Sequence, residues 1–109
     1  MRRCCLRKRY GRFKLPTIRG ATTSKARRRD VNWLARTDSQ AREVEFSEHF
    51  GKLSPDGQRY IVAHEEAHLK TGPDHNAAFY AALKKLVNAR GIPWEIAYEL
   101  ESYNCHQSH

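Results

Sequence analysis

SPDGQRYIVAHEEAHLKTGPDHNAAFYAAL, residues 54 to 83, decides how this chain is read. Its first residues form a helix start. Ser54 carries an N-cap hydroxyl, Pro55 suits the first helical position with its fixed φ and missing N–H, and Asp56 puts negative charge in the first turn. Gly72 and Pro73 end that helix. A second start follows at Asp74, after which Ala78, Phe79, Ala82, Leu83, Leu86 and Val87 recur at three- and four-residue spacing until Gly91, the stripe of a helix with one buried face. Ile92 and Pro93 lead into a third helix, WEIAYELESY, on which Trp94, Ala97, Tyr98 and Glu101 recur helically.

Upstream the period changes. Val31, Trp33 and Ala35 alternate onto one face, and after TDSQ the run AREVEF puts Val44 and Phe46 on one face and Glu43 and Glu45 on the other. Two short antiparallel strands around a polar turn are expected, with Trp33 and Trp94 as packing anchors. Before them, YGRFKLPTIRG alternates apolar with basic residues and could add a strand or lie along a partner, and the small polar residues of GATTSKA have the composition of a linker.

At 109 residues the chain can bury one modest core, and 39% hydrophobic residues suffice for helices packed on a small sheet. Charge divides it sharply. Residues 1 to 29 hold 12 of the 20 lysines and arginines and no acid, whereas residues 30 to 109 hold 8 basic and 12 acidic residues. The division expected is therefore a basic arm and linker over 1–29 and a folded domain over 30–109. A cationic arm on a slightly acidic body suits a polyanion, nucleic acid first and an anionic membrane surface second. Cys4, Cys5 and Cys105 form no framework of spacings, which argues against a disulfide-stapled secreted domain. The basic start lacks the apolar run of a signal peptide, and no stretch is apolar enough to span a bilayer. A soluble, cytoplasmic protein is expected, with an organelle transit peptide as the other meaning of an Arg-rich, acid-poor start.

HEEAH, residues 64 to 68, has the pattern H-E-x-x-H on an expected helix. Histidines at i and i+4 project from one face about one turn apart, so both imidazoles can reach one zinc ion. Glu65, next to His64 around the helix, can approach an attacking water without occupying the metal. His64 and His68 are thus candidate ligands and Glu65 the candidate general base. A catalytic zinc needs a third protein ligand and an open position. His75 is preferred, because the GPD turn can fold the next helix back beside the metal. Glu95 and Glu99 on the third helix are the alternatives. Tyr98, Tyr103 and His106 are candidate oxyanion donors, and CHQSH at the end of the sequence is a possible further metal-binding group.

With LSPDGQRYIVAHEEAHL followed by DHNAAFYAALKKL, the stretch from about Val31 to Val87 resembles the catalytic core of the SprT-like and WLM-type zinc metallopeptidases. The resemblance implies a small α+β, zincin-like domain with His64, His68 and His75 as ligands of one catalytic zinc and Glu65 as general base, acting on protein or peptide substrates. Several families similar to it act on DNA-bound proteins, which suits the basic arm. The alternative expectation is a nucleic-acid-binding protein whose metallopeptidase-like fold does not cut.

Overall fold

A computed structural model describes residues 13–28 and 30–107, the last six as helical backbone only. It is an α+β fold in which three strands precede four helices: β1 (Thr22–Lys25), β2 (Ala35–Asp38), β3 (Glu43–Phe46), α1 (Glu48–Gly51), α2 (Pro55–Thr71), α3 (Ala77–Ala89) and α4 (Trp94–Gln107). The sheet order is β1-β3-β2, with β1 parallel and β2 antiparallel to β3. As β3 is central, Val44 and Phe46 are fully buried, as their alternation predicts.

Three expectations need correction. GATTSKA is no linker, since Thr22–Lys25 pairs along β3 from Glu43 to Phe46. Its strand residues are polar and mostly exposed, so it lacks the apolar alternation that marks a half-buried strand; the ladder holds it, with the Arg42 guanidinium donating to the Gly20 carbonyl at 2.8 Å. The segment before it also packs on the body. Ile18 is buried, and the Phe13 ring meets Phe50 edge-on and lies so close to Gly51 that a Cβ there would come within 2.6 Å of it. Part of the segment expected to be arm and linker therefore belongs to the domain.

Second, the hairpin strand begins at Ala35, not Val31, and includes Thr37 and Asp38, which had looked like turn residues. Side chains of α1 and its N-cap take the carbonyls upstream: His49 Nε2 lies 2.8 Å from the Val31 carbonyl, and the buried Ser47 hydroxyl donates to that of Trp33 at 2.7 Å. Leu34, rather than Trp33, enters the core, and Trp33 lies under the Arg36 guanidinium at 4.5 Å. Trp94 is likewise more exposed than a packing anchor. The turn is Ser39–Arg42, where Asp38 accepts from the N–H groups of Gln40 and Ala41, and Arg42 adopts φ 57°.

Third, α3 starts at Ala77, not Asp74. The Asn76 side chain accepts from Phe79 N at 3.0 Å, which makes Asn76 the N-cap and leaves His75 in the preceding loop. The start of α2 agrees with the sequence: the Ser54 hydroxyl accepts from Gly57 N at 3.1 Å and Pro55 opens the helix. The core lies between β3 and α2 and continues to α3 and α4 through Tyr60, Ile61, Ala63, Ala67, Phe79, Leu83, Val87, Ala97 and Leu100. Among the described residues no helix is long and apolar enough to cross a membrane.

Candidate metal centre

His64 and His68 lie one turn apart on the buried face of α2, with ring centroids 5.0 Å apart. The α2 helix stops at Gly72, whose N–H donates to the His68 carbonyl at 2.8 Å. Gly72 has φ 108° and ψ −174°, a conformation that L side chains rarely adopt, and this bend returns the chain over the end of the helix. His75 is thereby carried back to the two helical histidines. Its Nε2 lies 3.1 Å from His68 Nε2 and 3.4 Å from His64 Nε2.

Beneath them is Phe79. Its ring, fully buried, has centroid distances of 4.9 Å to His64, 4.4 Å to His68 and 4.8 Å to His75, so one side chain of α3 supports all three imidazoles. Among the described residues this trio is the set of side chains placed to hold a metal ion, with its ligand atoms within 4.8 Å of one another.

The other ring nitrogens decide what the cluster can do. His68 Nδ1 lies 2.9 Å from the Gly72 carbonyl oxygen, which can only accept, so Nδ1 carries the proton and Nε2 presents a lone pair. His64 Nδ1 lies 3.3 Å from Glu101 Oε1, a polar contact without hydrogen-bond alignment. That contact too favours a proton on Nδ1 and a lone pair on Nε2. Two lone pairs thus face the His75 Nε2 at the edge of the core, with His64 and His68 buried and His75 only partly so. A single N–H from His75 cannot serve both well, whereas a cation at their common centre satisfies all three. Burial pushes the His68 imidazole down to about 4, against the opposing pull of the Gly72 carbonyl, which keeps the ring in its neutral, ligating form.

Glu65 is 2% exposed and lies outside the converging trio. The Thr37 hydroxyl, on edge strand β2, donates to Glu65 Oε1 at 2.7 Å. Burial raises its pKa, while His64 and the Thr37 hydrogen bond pull the other way. Glu66, the next residue, pairs with Arg90 just beyond α3 and so ties α2 to α3. Glu95 and Glu99, the alternative third ligands, are exposed on α4 and are not in the cluster.

Thr37 and Glu101 escaped the sequence reading. Thr37 was hidden in an apparent turn. Glu101 did leave a signal: it shares a helical stripe with Trp94, Ala97 and Tyr98, and a carboxylate in such register implies a partner. It accepts from the Tyr60 hydroxyl and, at 3.3 Å, from that of Tyr80. Burial alone would raise the Glu101 carboxyl, but its contacts with His64 and Tyr60 outweigh it and hold the group at about 2. Tyr98 is 70% exposed and lines a cavity with Trp94 and Glu101. The expectations on Cys4, Cys5 and the side chains of Tyr103, Cys105, His106 and His109 lie outside the described residues.

No protein-family model, curated protein or solved structure matches the chain.

Proposed function

We propose that this chain is a zinc-dependent metallopeptidase of the SprT-like or WLM type, held by His64, His68 and His75 around one zinc ion and using Glu65 as general base. The observation that carries this reading is the approach of His75 Nε2 to the Nε2 atoms of both helical histidines, in a trio whose ligand atoms lie within 4.8 Å of one another. Zinc–nitrogen distances of about 2.0 to 2.1 Å in a tetrahedron imply ligand atoms about 3.3 Å apart, and the two separations at His75, 3.1 Å to His68 and 3.4 Å to His64, fit such edges. The donor set, three imidazoles with no thiolate, matches catalytic rather than structural zinc, which favours four closed ligands.

Bound there, zinc would supply Lewis acidity toward water and a peptide carbonyl. Each residue then has a separate task. Gly72 and Glu101 keep the protons of His68 and His64 on Nδ1. Phe79 excludes water from beneath the rings. Glu65, oriented by Thr37, accepts a proton from the attacking water and passes it to the leaving amine. Cleavage of an unstructured protein such as casein, compared between wild type and Glu65→Gln, tests this: turnover disappears in the variant while zinc content stays unchanged. Equal cleavage by both proteins removes Glu65 from the mechanism.

Recruitment to nucleic acid is the second part of the proposal. Lys14, Arg19, Lys25, Arg27 and Arg28 are exposed on the described part of the basic segment, and six further basic residues lie in residues 1–12. Because β1 is part of the sheet, the truncation to test is removal of residues 1–12, not 1–29. A phosphate-binding segment predicts DNA affinity that falls steeply with salt, and a shallower slope after that truncation. An unchanged slope removes residues 1–12 from the proposal, and wild-type protein without salt-dependent DNA affinity removes nucleic acid altogether.

A further inference from the structure

Resting on the metal reading above, we propose that Glu101 is a positioning residue of the metal centre, whose carboxylate fixes the His64 ring so that Nε2 faces His68 and His75. The two helical histidines differ in how their outer nitrogens are met. His68 Nδ1 has a backbone acceptor, the Gly72 carbonyl at 2.9 Å. His64 is 3% exposed and its Nδ1 has no aligned hydrogen-bond partner among the described residues, so the carboxylate at 3.3 Å is what determines which nitrogen holds the proton.

Glu101 is itself held. Tyr60, one turn before His64 on α2, donates to Oε1, and Tyr80 on α3 donates to Oε2 at 3.3 Å. A carboxylate from α4 is therefore pinned by hydroxyls from the two helices that carry and support the ligands. Glu101 is not itself a ligand in this arrangement, because its oxygen meets Nδ1, whereas Nε2 is the nitrogen that faces the cluster. Carboxylates in this place raise the basicity of the ligating nitrogen and hold its orientation, and their loss typically weakens metal binding 10- to 100-fold.

The test measures zinc dissociation constants by chelator competition for wild type, Glu101→Ala, Glu101→Gln and a control, Leu100→Ala. Leu100 is a buried core residue of the same helix, against Gly57 of α2, and has no polar atom to offer His64. Expected is a loss of about 10- to 100-fold for Glu101→Ala and a smaller loss for Glu101→Gln, which keeps an oxygen acceptor without the charge. Leu100→Ala lowers the unfolding midpoint but leaves zinc affinity within about threefold of wild type. Glu101→Ala binding zinc within about twofold of wild type overturns the proposal, and so does a Leu100→Ala loss as large as that of Glu101→Ala. If the alanine variant does not fold, unchanged affinity in Glu101→Gln overturns it instead. Wild-type protein that takes up no zinc is a different result, which removes the metal reading itself.

Discussion

Gly72→Ala isolates the contribution of backbone geometry to the metal centre. Nothing lies within 4 Å of a Cβ built at Gly72, so the substitution brings no clash. Its cost is conformational: φ 108° with ψ −174° falls in a region that only glycine occupies readily, and forcing alanine into it costs about 1–3 kcal/mol. With a urea m-value of about 1–3 kcal/mol/M, the midpoint for metal-free protein drops by about 1 M. If the chain relaxes to avoid that cost, the Gly72 carbonyl leaves His68 Nδ1 and the His75 loop shifts, so zinc affinity falls about tenfold. Paired urea titrations and chelator competition detect either route. D-alanine at position 72, introduced by chemical ligation, accepts the positive φ and should restore both quantities. An L-alanine variant equal to wild type in midpoint and zinc affinity refutes the claim that this bend assembles the site.

The remaining predictions concern burial, pH and capping. Phe79→Ala removes the ring beneath all three histidines and should cost about 3–5 kcal/mol in denaturant unfolding, with zinc affinity falling alongside; a cost below about 1 kcal/mol contradicts the packing described. In metal-free protein the depressed pKa of His68, about 4 against an ordinary 6.5, gives stability that is fully present above pH 6.5 and lost as pH falls through about 4. Thermal unfolding across that range should slope in wild type and flatten in His68→Gln. Asn76→Ala, which removes the N-cap of α3, should lower stability by about 1 kcal/mol, read from the urea midpoint.

The helical half of the fold was legible because its signals are local. Ser54, Pro55 and Gly72 mark the ends of α2 through their own backbone and side-chain chemistry, and the stripe of α3 follows from its buried face. The trio of histidines was legible for the same reason, since two share a helix face and the third follows a glycine turn. What stayed hidden depends on partners distant in sequence. Strand β1 has no apolar pattern and exists through its ladder to β3. The segment from Val31 to Trp33 has the alternation of a strand, but its carbonyls are taken by His49 and Ser47. Glu101 lies 37 residues from His64, and Thr37 28 residues from Glu65, so no local spacing announces either pair.

Zinc content combined with X-ray absorption at the zinc edge, on protein purified with the metal supplied, shows whether the three histidines hold a metal. One zinc per chain is expected, with three imidazole ligands and no sulfur, lost in each of His64→Ala, His68→Ala and His75→Ala. A wild-type protein without zinc, or a zinc spectrum dominated by cysteine sulfur, contradicts it.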